Sequence, residues 1–190
     1  MDKQPSSEEL MARIANGDEH AFQTLVERHQ SSMLNLIYRF IGDREKSQDL
    51  AQEVFLRVWQ TAKSYEPKAK FTTWLYRNAT NLCLNELKAS RRRKWLRFFH
   101  ADTQGQYSGE EDFSDEAPSP EVLLLTRERD REITEAVQSL PENQRMALIL
   151  KRYDDLSYEE ISRILNCSVS AVESLMIRAK RNLQEKLKNF

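Results

Sequence analysis

Arg77, Asn81, Asn85 and Lys88 recur at steps of four, four and three, the spacing that puts side chains on one face of a helix. Two carboxamides flanked by two cations are equipped to bind. Each amide offers both donors and an acceptor, enough to hold the edge of a base that has left its stack. Positive charge then builds downstream: Lys88, Arg91, Arg92, Arg93, Lys94 and Arg97 are six cations in ten residues, with no acid after Glu86. Such a run releases counterions on meeting nucleic acid, so it binds phosphates with strong salt dependence. The alternative is a solvated helix end, where basic residues also suit the helix dipole. Phe71, Trp74 and Tyr76 open the same segment. They can support or stack on unpaired bases, although Trp74 fits the core better.

A second constellation lies between Ser157 and Leu183. Ser157 and Glu160 have the spacing of a capping box, and Leu156 and Ile161 that of a hydrophobic staple, so a helix starts there. Asn166 tolerates the left-handed conformation that ends a helix, and Ser168 or Ser170 can cap the next one. In that next helix Val172, Met176, Ala179, Leu183 and Leu187 form the inward stripe. Ser170, Glu173, Ser174, Ile177, Arg178 and Arg181 occupy the other face, a mixed set suited to base edges first and phosphates further along. The pattern is that of a helix-turn-helix DNA reader; the alternative is the surface of an ordinary helical hairpin.

The elements that must carry these faces are helices throughout. Gly17 and Gly42 stand at helix ends and Asp18 and Asp43 at the following N-caps. The spacing predicts helices over 21–41, 50–58 and about 72–94. A formal net charge of -1 conceals segregation: residues 1–100 carry 17 basic and 12 acidic side chains, 101–125 none and 7, and 126–190 12 and 11. The acidic stretch also holds two of the four glycines and two prolines. It reads as a flexible connector between two folded units, with a mere solubilising tether as the alternative.

Composition narrows the classes further. Hydrophobic residues make up 39% of 190, enough for cores and too sparse for membrane spans, and no apolar run opens the chain, so a protein of the reducing cytoplasm is expected. Cys83 and Cys167 lack C-x-x-C spacing and sit on or beside apolar faces, which predicts inert thiols. His20, His29 and His100 lack helical metal spacing, and the glycines form no phosphate loop. No metal, cofactor, small-molecule substrate or catalytic constellation is expected.

Three segments in order, Asp49–Gln60 (DLAQEVFLRVWQ), Phe71–Arg93 (FTTWLYRNATNLCLNELKASRRR) and LPENQRMALILKRYDDLSYEEISRIL with the helix after it, resemble the extracytoplasmic function (ECF) sigma factors of the bacterial sigma-70 family. The resemblance implies an all-α chain. A sigma-2 domain over 1–98 would bind the beta-prime clamp helices of core RNA polymerase and melt the minus-10 element. An acidic linker over 99–120 would lie in the polymerase channel, and a sigma-4 domain over 121–190 would bind the minus-35 element and the beta-flap. An anti-sigma factor is the implied regulator.

Position by position, the resemblance implies polymerase contacts at Asp49, Gln52, Glu53 and Arg57, with Trp59 directed to the core. Asn81 and Asn85 would hold the extruded non-template base, and Lys88, Arg91, Arg92 and Arg93 the adjacent backbone. Ser170, Glu173, Ser174, Ile177 and Arg178 would face the minus-35 groove, with Lys180 and Arg181 on phosphates. Family members often carry Arg where this chain has Glu173 and Leu175, which excludes guanine reading there. Glu173 can instead accept from a cytosine amine. A dimeric helix-turn-helix regulator acting without polymerase, and an adaptor that occupies polymerase without basic patches, are the competing classes.

Overall fold

The computed structural model describes residues 4–100 and 132–188, and the regular elements among them are helical. The acidic connector expected from residue 99 lies, but for its first two residues, outside the described residues.

Local signals set the helix ends. Helix α1 (Ser7–Ala15) starts on a reciprocal capping box between Ser6 and Glu9. Helix α2 (Glu19–Ile41) starts on Asp18, whose carboxylate accepts the Ala21 N–H at 3.0 Å, and ends at Gly42 with φ 81°, a conformation that glycine reaches without Cβ strain. Helix α3 (Arg44–Thr61) starts on Asp43, which accepts the Lys46 N–H at 2.9 Å, and runs into a 3-10 turn over Ala62–Ser64. Helix α4 (Phe71–His100) is capped from a distance, because Glu8 of α1 accepts the Phe71 N–H at 2.8 Å. That bond holds the Glu8 carboxyl below its ordinary pKa. Residues 132–138 form α5, followed by α6 (Glu142–Arg152), α7 (Tyr158–Leu165) and α8 (Val169–Leu187).

Helices α1–α4 enclose Leu10, Met11, Leu25, Met33, Leu36, Ile37, Phe40, Val54, Val58, Phe71 and Leu75, all essentially without solvent contact. Helices α6–α8 enclose Met146, Ile149, Leu150, Ile161, Ile164, Val172 and Met176. Burial of such side chains contributes roughly 1.5–3 kcal/mol each. The inward stripe expected in α8 runs from Val172 to Ala179, while Leu187, on the last turn, is exposed.

The two helical blocks meet, which the periodicity did not anticipate. The last turn of α2 leaves backbone carbonyls without helical donors. Two side chains of the second block supply them: Gln138 Nε2 donates to the Arg39 carbonyl at 3.0 Å, and Arg145 donates to the Phe40 carbonyl at 2.8 Å. Arg145 is only 8% exposed, lies over the Phe40 ring with its guanidinium carbon 5.2 Å from the centroid, and also donates to Gln138 Oε1 at 2.7 Å. A cation at a helix C-terminus is favourable, and here it joins the blocks. Around this seam the two apolar cores are continuous.

Candidate nucleic-acid interface

Helix α4 presents Arg77, Asn81, Asn85 and Lys88 on its exposed side, while Leu75, Ala79, Leu82 and Cys83 are buried on the other. The amides therefore stand one turn apart in a row flanked by cations. Their neighbours come from the second block. Arg77 Nη2 donates to Asn166 Oδ1 at 3.3 Å, and Arg91 pairs with Glu142 at 2.7 Å. Asn81 lines a cleft of about 410 Å³ with Arg77, Thr80 and Leu84 on one wall and Asn143, Leu165 and Asn166 on the other. Arg93 pairs with Glu86, and Asn85, Lys88 and Arg92 are exposed.

Of the aromatic residues at the start of α4, Phe71 and Tyr76 do not fit a stacking role, and Trp74 packs against the core as expected. Phe71 is 1% exposed, and Tyr76 is 8% exposed with its hydroxyl committed to Asp154, so neither ring can meet a base. Trp74 is half-buried against Tyr65 and Phe71, with ring centroids 5.2 and 5.7 Å away. The helix start faces the core because α1 caps it there.

The second constellation folds as a helix-turn-helix. Ser157 and Glu160 close the capping box, with the hydroxyl accepting at 3.2 Å and the carboxylate at 3.0 Å. Asn166 adopts φ 52°, and α8 starts on Ser168, which accepts the Ala171 N–H at 3.2 Å. Ser170 is therefore free of capping and lies with its hydroxyl 3.0 Å from that of Ser168. Ser170, Glu173, Ser174, Ile177, Arg178, Lys180 and Arg181 are all exposed, Ile177 to 69%. Ile177 is thus an apolar side chain open to water among polar neighbours on α8.

On α3, Asp49 and Gln52 are exposed and Glu53 is half-buried, paired with Arg57 at 2.8 Å. Leu56 shares their face at 54% exposure, an apolar residue amid polar ones that the spacing within 50–58 does not single out. Its place one turn after Gln52 and Glu53 was the available signal. Trp59, expected in the core, is 38% exposed and touches Phe22 edge-on at 5.2 Å.

Both cysteines are free. Burial pushes the Cys83 thiol up to about 12, and the Cys167 thiol is raised for the same reason, so neither is poised as a thiolate near neutrality. Among the described residues, no cluster of metal-ligating side chains occurs and no helix is long and apolar enough to cross a membrane.

An exposed amide-and-cation row on one helical block and an exposed helix-turn-helix on the other define a nucleic-acid-binding protein with two reading surfaces. Residues 25–93 match Sigma-70 region 2 and residues 130–183 match Sigma-70, region 4. The chain is 34% identical to the RNA polymerase sigma-H factor of Pseudomonas aeruginosa over 97% of its length and 95% of that protein's. It is also 34% identical to the ECF RNA polymerase sigma-E factor of Escherichia coli K12, over 98% of its length and 97% of that protein's. A solved structure of the sigma factor RpoE bound to the anti-sigma factor NepR, from Bartonella quintana, superposes with a TM-score of 0.62 at 22% identity, covering 88% of this chain and 96% of that one. This chain belongs to the ECF sigma factors of the sigma-70 family.

Proposed function

We propose that this sigma factor directs core RNA polymerase to promoters through three separate surfaces, and that it has no catalytic activity of its own. The exposed face of α3, with Asp49, Gln52, Glu53, Arg57 and the apolar Leu56, docks on the polymerase clamp. Asn81 and Asn85 hold an extruded base of the minus-10 strand, with Lys88 and Arg91–Arg93 on its backbone. Ser170, Glu173, Ser174, Ile177 and Arg178 read the minus-35 duplex, with Lys180 and Arg181 on phosphates. The working division is residues 1–98, a connector over 99–120, and 121–190.

The observation that carries this reading is the row of Asn81 and Asn85, exposed one turn apart on a helix whose opposite side is core. A duplex-only regulator would have no use for amides aimed at unpaired bases. The protein acts where polymerase and chromosome meet, in the cytoplasm. Control by an anti-sigma factor fits the similarity to a sigma factor solved with one.

In-vitro transcription with purified core polymerase tests the proposal. Promoter-specific transcripts should appear only when the protein is added. Duplex binding with no polymerase-dependent transcript would instead support a conventional regulator.

A further inference from the structure

The row of Arg77, Asn81, Asn85 and Lys88 does not end at Lys88. Arg92 and Trp95 follow at steps of four and three, which keeps both on the same stripe of α4. Every residue from Arg91 to Leu96 is exposed, so these turns stand clear of both apolar cores. Trp95 is 60% exposed and its neighbour Leu96 42%, directly after the cations Arg91, Arg92, Arg93 and Lys94. Two large apolar side chains set beside cations suit a partner that is anionic outside and apolar within.

The DNA duplex and an anionic membrane surface both have that chemistry, and the placement favours DNA. A helix lying in a membrane interface needs a broad apolar face. Trp95 and Leu96 are consecutive, hence about 100° apart around the axis, and Arg92 projects between them. Trp95 also continues the stripe on which the base-holding amides stand.

Spacing locates the contact. Asn81 and Asn85 precede Trp95 by fourteen and ten residues, about 21 and 15 Å along a helix, and base pairs stack about every 3.4 Å. The chain leads from the far end of α4 to the minus-35 reader, so that end points towards the minus-35 side. DNA there is paired, because a helix-turn-helix reads a duplex.

We propose that Trp95 enters a base step of the duplex between the two promoter elements as an apolar wedge, about four to six base pairs upstream of the extruded base, with Arg92 on a flanking phosphate. This rests on the reading of Asn81 and Asn85 as base contacts, which sets the register. A wedge unstacks the step it enters, and pyrimidine–purine steps yield most easily. The protein thereby gains a sequence preference at a position where no side chain reads a base edge.

The test uses full-length protein with core polymerase on duplex promoters carrying 2-aminopurine, which brightens on unstacking, at successive positions upstream of the permanganate-reactive bases. The parent should brighten one position in the expected window a few fold, and Trp95→Ala should abolish the signal while circular dichroism stays helical. Replacing a pyrimidine–purine step there by a stiff A-tract should weaken binding several fold for the parent and leave Trp95→Ala unaffected. Trp95→Ala should keep the parental dependence of affinity on salt, whereas Arg92→Ala should reduce the slope by about one. No brightening with the parent, or equal brightening with Trp95→Ala, overturns the proposal. So does Trp95-dependent binding to phosphatidylglycerol vesicles without a signal on DNA, which would assign the surface to lipid. A Trp95-dependent signal that persists when Asn81→Ala and Asn85→Ala together leave promoter opening and base preference unchanged supports the wedge and removes only the amides from the proposed site.

Discussion

The Tyr76 hydroxyl donates to Asp154 Oδ1 at 2.7 Å, a bond between residues 78 positions apart that pins α4 to the loop after α6. The carboxylate has little water around it, and its Oδ2 has no hydrogen-bond partner among the described residues. Desolvation raises the Asp154 pKa, with the Tyr76 bond and Arg39 opposing the shift.

A raised carboxyl pKa means that the folded protein binds the proton more tightly than the unfolded chain. Its contribution is therefore present below the ordinary aspartate value of 3.8 and lost as pH rises through the folded value. Asp154→Asn keeps an acceptor for Tyr76 without the charge. The variant should match the parent in stability at the acid end and exceed it progressively as pH rises towards neutrality, as measured by urea unfolding across pH. A constant difference, or one largest in acid, would show that desolvation of this carboxylate does not govern the seam.

Charge reversal at both Asp49 and Glu53 should weaken binding to core polymerase at least tenfold while circular dichroism remains helical. Leu56→Asp should do the same with a stability change within about 0.5 kcal/mol, because its side chain is already in water. Unchanged core affinity in both variants would place the docking surface elsewhere.

Ile177 yields a prediction at the level of one methyl group. Replacing each minus-35 thymine in turn by deoxyuridine should lower duplex affinity at one position by a few fold for the parent and have no effect there for Ile177→Ala. Equal sensitivity in both proteins would exclude Ile177 as the methyl contact.

Asn81→Ala together with Asn85→Ala should leave core binding and closed-complex formation nearly normal, because a bond to an extruded base forms only after melting. Open complex on a linear duplex, read by permanganate reactivity of unpaired thymines, should fall strongly. A template with a preformed bubble should recover part of the activity. A double variant that opens duplex DNA at the parental rate, with the same minus-10 preference, would make these asparagines ordinary surface residues.

Features that depend on neighbours within about four residues were legible in the chain. Ser157 with Glu160, Asp18, Asp43, Gly42 and Asn166 set helix ends through bonds and backbone angles decided locally, and the stripe from Val172 to Ala179 set which side of α8 turns inward. The same periodicity put Asn81 and Asn85 together on an exposed face. Periodicity assigns a side chain to a face and says nothing of what covers that face. Tyr76 and Phe71 read as available rings because their partners, Asp154 and the α1 block, are distant in sequence. Arg145 gave no local sign that its guanidinium would be buried to satisfy the end of α2 across 105 positions. Local bonding and hydrophobic spacing thus specified the helices and their faces. Only the tertiary structure, by satisfying α2's unpaired carbonyls and burying two cores as one, decided that the two blocks would meet.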